Sequence, residues 1–261
     1  MLKSYVLVFD LDETLGSFSQ PYKFWYNLKN FLDDERLDEQ YFFNFLELFP
    51  EFLRTNIFKL LKNVKQKKIN GVCNNVLIYT NNNGPKWWAN LIKNYFHYKL
   101  KYQLFDKIIH AFKVNGKIIE VCRTSHGKSH RDFLKCTKLP TNTKICFIDD
   151  QYHQEMHNDN VLYFQIKPYN SNIKYSTLCT QFYKYNKHLF KNTGNTLEEF
   201  INYMNHNTYY DPLTYVNKSN IEKNMESMLT DHIIKEVDKF FSTNKKFTRK
   251  NKMVINKTRK R

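Results

Sequence analysis

The chain has 261 residues and carries 41 Lys and Arg against 25 Asp and Glu, a formal net charge of +16. That length suffices for one full core, and no apolar stretch approaches the roughly 18 to 20 residues that span a bilayer, so a membrane protein is not expected. Five cysteines (Cys73, Cys122, Cys136, Cys146, Cys179) stand far apart with no C-x-x-C pair; they are read as reduced thiols, not as a zinc or redox motif.

The first residues turn polar at Asp10 after a short apolar run, so no secretory leader is expected and the chain reads as intracellular, cytoplasmic or nuclear. Tyr5 to Phe9 is continuously apolar and ends in acid, the pattern of a parallel strand buried on both faces. Phe42, Phe45, Leu46 and Phe49, then Leu53, Ile57, Leu60, Leu61 and Val64, follow helical spacing with a break at Pro50. A second strand, Val76 to Tyr79, ends in Thr80, and Trp87, Leu91 and Phe96 suit a helix after it. Lys107 to Lys113 and Lys117 to Cys122 flank Asn115-Gly116 and read as a strand with a hairpin return.

Phe133 to Leu139 reads as a helix, Ile145 to Ile148 as a strand ending in Asp149-Asp150, and Val161 to Ile166 as a last strand. Strands alternating with helices predict an α/β sandwich of three layers around a mainly parallel sheet over residues 1–170. Beyond Tyr169, Thr177 to Phe190, Leu197 to Asn205 and Asn220 to Phe241 predict a helical extension over 171–243. Residues 244–261 complete the chain. From Lys245 to Arg261 there are nine Lys or Arg and no acid, which predicts a disordered basic tail able to bind nucleic acid or an acidic protein. The rest of the charge is diffuse. Lys outnumbers Arg 34 to 7, and there are 31 Asn but two Ala, a bias that A/T-rich coding produces without selection for binding.

Asp10 and Asp12, two residues apart directly after a buried strand, repel each other unless a cation is present. Alone, such a pair is ordinary turn chemistry. Its companions change the reading: a hydroxyl (Thr80) at one strand end, a lysine (Lys128) in a polar loop and paired acids (Asp149, Asp150) at another strand end. In parallel sheets ligands gather beyond the carboxyl ends of the strands, so nucleophile, phosphate ligand, cation and metal ligands arrive at one edge.

These stretches, DLDETL, LIYTN, Lys128 and CFIDD, resemble the four motifs of the haloacid dehalogenase (HAD) superfamily of phosphotransferases. The D-L-D-E-T-L form is similar to the FCP-homology, or NLI-interacting-factor-like, branch that contains phosphatases of the RNA polymerase II C-terminal domain. The resemblance covers Tyr5 to Tyr169 and implies a Rossmannoid fold with a minimal cap. It further implies Asp10 as nucleophile, Asp12 as acid and base, Thr80, Asn81 and Lys128 on the phosphoryl group, and Mg²⁺ on Asp10, Asp12, Asp149 and Asp150. The implied activity is hydrolysis of a phosphoserine or phosphothreonine in a phosphoprotein such as the polymerase C-terminal domain. The alternatives are a nucleic-acid-end or nucleotide phosphatase and a non-catalytic module of a transcription complex.

Lys135 and Lys138 compete with Lys128, which is preferred because it lies in a loop entering a helix. Gly16-Ser17-Phe18 stands where the branch has a valine and a histidine, and Asn81 to Pro85 replaces its small-residue helix start. Gly16 to Pro21, Asn81 to Pro85 and the turn at Gly116 are the segments expected to cover the site. His153 and His157 have the spacing of a zinc pair, but Glu155 is misplaced for a zinc protease. His126 and His130 suit a place beside phosphate better than a metal. One of Trp87 and Trp88 is expected in the core and the other on the surface.

Overall fold

In the computed structural model, residues 4–33, 37–191, 194–208 and 218–258 are described, with side chains as far as 242. Five parallel strands form the central sheet: β1 (Tyr5–Phe9), β2 (Asn75–Tyr79), β3 (Lys107–Ile109), β6 (Lys144–Asp149) and β7 (Val161–Gln165), in the spatial order β3-β2-β1-β6-β7. A separate two-stranded hairpin joins β4 (Lys113–Val114) to β5 (Lys117–Ile118). The long hairpin expected between Lys107 and Cys122 is thus split: Lys107–Ile109 joins the main sheet beside β2, and only two residues on each side of Asn115-Gly116 pair.

The three inner strands, β1, β2 and β6, are apolar through their middles because helices cover both faces there, while the edge strand β7 is only partly buried. Leu7, Phe9, Ile78, Cys146 and Ile148 point into the larger core. Into it pack α1 (Ser19–Leu32), α2 (Glu39–Leu48), α3 (Ile57–Ile69), α4 (Lys86–Leu100), α6 (Tyr175–Tyr185), α8 (Leu197–Asn207) and α9 (Asn220–Thr258), with α7 (Lys187–Lys191) closing the corner. Val6, Val8, Leu77, Tyr79 and Phe147 point the other way, against α5 (His130–Thr137) through Phe133 and Cys136. With 22 Phe and two Ala in the chain, the larger core is filled by rings: Phe24 stacks on Phe45 at 4.9 Å, and Phe42 meets Trp88 edge-on at 5.1 Å.

Two features depart from the predicted pattern. Ser19–Leu32 is a helix where the sequence through Pro21 reads as a covering loop; Pro21 lies in its first turn, where no intrahelical donor is needed. The backbone of α9 runs unbroken to Thr258, with no Gly or Pro to end it, so residues 244–258 are helical where a disordered tail was expected. Residues 259–261, and the side chains that would give the segment from Lys245 its binding role, lie outside the described residues.

Asp38 caps α2, accepting from the backbone N–H of Gln40 at 2.9 Å and Tyr41 at 3.2 Å, and a 3-10 turn at Pro50–Phe52 separates α2 from α3 as the proline requires. The first half of α9 lies along α3: Thr230 donates to the Thr55 carbonyl at 2.7 Å, Lys59 pairs with Asp231 at 2.7 Å, and Lys67 pairs with Asp238. Among the described residues no helix is long and apolar enough to cross a membrane.

The cysteine reading needs correction. Cys122 and Cys136 form a disulfide, because the loop after β5 returns to α5 with the two Cα atoms 5.0 Å apart, within bridging range. Cys73, Cys146 and Cys179 are free and buried.

Candidate active site

β1 lies between β2 and β6, and the chain leaves it toward β2 and β3 before crossing back to β6 and β7. Such a reversal opens a crevice at the carboxyl ends of the strands. A cleft of about 330 Å³ lies there, lined by Asp10, Asp12, Thr80, Asn81, Lys128, Asp149 and Asp150 together with Glu13, Ser19, Asn82, Asn83 and Gln151. Every site residue expected from the sequence is therefore in one place. Lys135 and Lys138 are exposed on and after α5, away from the cleft.

Asp10 continues the β1 ladder, its N–H donating to the Ile148 carbonyl at 2.9 Å. The Lys128 ammonium, 2% exposed, donates to Asp10 Oδ1 at 2.5 Å and to Asp149 Oδ2 at 2.6 Å. Burial pushes the Asp10 carboxyl up to about 8, with Asp149 and Asp12 adding to the push and Lys128 opposing it. Burial by itself would depress Lys128, but Asp10 and Asp149 hold it above the ordinary lysine value. Asp149 and Asp150 are also raised, chiefly by burial. One buried ammonium thus faces several buried acids. Oxygens of Asp10, Asp149 and Asp150 lie within 4.8 Å of one another, so the cluster can bind a metal ion.

Asp12 follows on a tight loop in which Glu13 N–H donates to the Gly16 carbonyl at 2.7 Å, with Glu13 in the left-handed region at φ 57°. Gly16 is required by contact, since a Cβ there would lie 2.5 Å from the Phe52 carbonyl oxygen. Its neighbour's N–H, on Ser17, donates to that same carbonyl at 2.7 Å. This packing accounts for the glycine at that position. Asp12 Oδ2 accepts from Asn82 Nδ2 at 2.7 Å, while Oδ1 is buried with no partner. Burial raises the Asp12 carboxyl, against the Asn82 bond. Thr80 Oγ1 accepts the Asn82 N–H at 2.9 Å, and the buried Asn81 Oδ1 has no partner.

Three residues that hold this arrangement escape the sequence motifs. Asn82 fixes Asp12. Arg54 donates through Nε to the Thr14 carbonyl at 2.6 Å and through Nη2 to those of Glu13 at 2.6 Å and Lys167 at 3.0 Å, which locks the Asp12 loop. Arg123 donates through Nη1 to the carbonyls of Thr80 at 3.1 Å and His110 at 2.9 Å, and through Nη2 to those of His126 at 2.9 Å and Gly127 at 3.2 Å. It joins the end of β2 to the loop that delivers Lys128. The signal available was composition: among 34 lysines, an arginine marks a place that needs a planar fork.

No family model, curated protein or solved structure matches this chain.

The remaining expectations sort by position. Of the covering segments, Gly16 to Pro21 contributes Ser19 and Asn81 to Pro85 contributes Asn81, Asn82 and Asn83, whereas the hairpin at Gly116 lines none of the cleft. His126 and His130 do not line it either; the His126 ring lies edge-on to Phe112 at 5.8 Å. His153 Nε2 is 3.6 Å from Asp149 Oδ2, and burial lowers this imidazole to about 4, so it stands neutral beside the acids. His157 packs on Tyr152 and Tyr163 instead of joining it on a metal. Trp88 is buried and Trp87 exposed, as expected of the pair.

Proposed function

We propose that this chain is a metal-dependent phosphomonoester hydrolase of the HAD type that works through an aspartyl-phosphate on Asp10. The observation that carries the reading is the meeting of Asp10, Asp12, Thr80, Lys128 and Asp149, from four separate stretches of chain, in one cleft at the carboxyl ends of β1, β2 and β6.

In this reading Asp10 attacks phosphorus in line and the ester oxygen leaves, taking a proton from Asp12. The raised Asp12 carboxyl suits it to begin protonated, whereas Asp10, also raised in the metal-free chain, would be held as the carboxylate by Lys128 and a bound cation. Water then attacks the acyl-phosphate, giving its proton to the same Asp12 and releasing phosphate with Asp10 restored. Thr80 Oγ1 and the Lys128 ammonium stand where they can hold phosphoryl oxygens. Asp10, Asp149 and Asp150, with the Asp12 carbonyl, would hold Mg²⁺, which neutralises crowded carboxylates and a phosphate dianion.

The covering segments contribute only Ser19 and Asn81 to Asn83 to the cleft, which supports a bulky ester as substrate. A phosphoserine or phosphothreonine in a protein, as in the polymerase C-terminal domain, is one such ester; the terminal phosphate of a nucleic acid is the other. The test is turnover of an aryl phosphate with Mg²⁺ by the full chain. Asp10→Asn is expected to abolish it. Absence of turnover by the wild type with Mg²⁺, Mn²⁺ and Co²⁺ alike would sink the enzyme reading and leave the binding-module alternative.

A further inference from the structure

Beside the cleft, two helices present an aromatic surface that the reaction does not use. Ser19, which lines the cleft, opens α1, and Tyr22, Tyr26 and Lys29 follow it at three-, four- and three-residue steps on the same face. With a rise of ~1.5 Å per residue, Tyr22 stands about 4.5 Å along the axis from Ser19 and Tyr26 about 10 Å. On α4, Trp87 is the second residue of the helix, and Asn83, another cleft residue, lies in the loop that leads into it. The rings meet: Tyr22 is 6.2 Å from Tyr26 and 6.2 Å from Trp87, centroid to centroid. Trp87 is 43% exposed and Tyr26 51%, while Trp88 beneath them is fully buried.

Charge decides what such a surface suits. The Lys29 ammonium sits 5.7 Å from the centre of the Trp87 ring. Neither α1 nor α4 contains a single Asp or Glu, while the whole chain has 25 of them. Lys86, on α4, adds positive charge and is exposed beside Trp87. Lys99, at the far end of α4, is paired with Glu47 of α2 and lies outside this surface. The exposed rings of Tyr26 and Trp87 on either side of half-buried Tyr22, among cations and with no acid on either helix, match the stacked bases and backbone phosphates of single-stranded nucleic acid.

We propose that Tyr22, Tyr26 and Trp87 form a base-stacking platform for a single-stranded oligonucleotide whose terminal phosphate enters the cleft. This rests on the hydrolase reading for the phosphate, but the platform can be measured apart from it. The first measurement is binding of an unphosphorylated oligothymidylate to the full chain. Trp25 and Trp88 are buried, so quenching of tryptophan fluorescence reports on Trp87, and the affinity is expected to fall with added salt.

The second measurement is the ratio of kcat/KM on terminally phosphorylated oligothymidylates, 5′ and 3′, to that on acetyl phosphate, which has no ring to stack. Trp87→Ala is expected to lower that ratio roughly 5- to 150-fold for one end or both, the loss per base that stacking carries. Most of the change should appear in KM, and Trp87→Phe should recover part of it. An unchanged ratio, or no quenching by the oligonucleotide, overturns the platform while leaving the hydrolase standing. So does a ratio that falls for a phosphoserine peptide and not for the oligonucleotides, which assigns the surface to a protein. Quenching and salt dependence without turnover of an aryl phosphate, acetyl phosphate or the phosphorylated oligonucleotides would support the platform and refute the hydrolase.

Discussion

Arg123→Ala removes a guanidinium that is 2% exposed and donates to four main-chain carbonyls at 2.9 to 3.2 Å. Bonds from a charged donor contribute about 1.5–3 kcal/mol each when deleted singly. The four do not add, because carbonyls left by one side chain relax together and admit water, so a net loss of about 3–4 kcal/mol is expected. Equilibrium urea unfolding followed by tryptophan fluorescence measures it. Lysine restores the charge but has no planar fork to span the Thr80 strand end and the Gly127 loop. Arg123→Lys should therefore recover less than half of the loss. Its turnover, assayed where it stays folded, should fall because Thr80 and Lys128 are no longer held in register. A destabilisation of Arg123→Ala below about 1 kcal/mol, or an Arg123→Lys variant equal to wild type, would refute the argument.

Asn82→Ala should lower kcat on an aryl phosphate by roughly ten- to a hundred-fold, within the range that acid–base chemistry contributes, and shift the pH profile of kcat as Asp12 loses its donor. A KM effect alone would speak against Asn82 positioning Asp12. In the metal-free chain Asp10 binds its proton more tightly folded, at about 8, than unfolded, at 3.8. Between those values the folded state holds more protons, so Tm should fall as pH rises from 5 to 9 and Asp10→Asn should flatten the slope. Added Mg²⁺ should raise Tm, more at pH 8 than at pH 6, and a rise that survives Asp149→Asn would count against the acid cluster as its site. Alkylating the denatured chain without reductant should label three thiols, and five after reduction. Opening the 14-residue span should cost about 3 kcal/mol. Five labelled thiols before reduction would rule out the Cys122–Cys136 bridge.

The strands were legible because a parallel strand covered on both faces must be apolar throughout, so Tyr5 to Phe9, Val76 to Tyr79 and Ile145 to Ile148 announce themselves. Their carboxyl ends then located Asp10, Asp12, Thr80 and Asp149 with no further information. Helix α1 was not legible at its start, since Gly16, Ser17, Ser19 and Pro21 are turn formers, and only the packing of Phe24, Trp25 and Leu28 shows the proline to sit harmlessly in a first turn. The Cys122–Cys136 bridge, the Asn82 bond to Asp12 and the carbonyl clamps of Arg54 and Arg123 join residues whose proximity no local pattern encodes.

Sequence by itself determined the kind of donors and acceptors and the strand ends that carry them, because periodicity and burial are local properties of the chain. Tertiary structure decided which lysine reaches Asp10, which covering segments meet the cleft, and that Tyr22, Tyr26 and Trp87 share one surface. Those are distances between elements, set by how helices and strands pack and not by what any one of them contains.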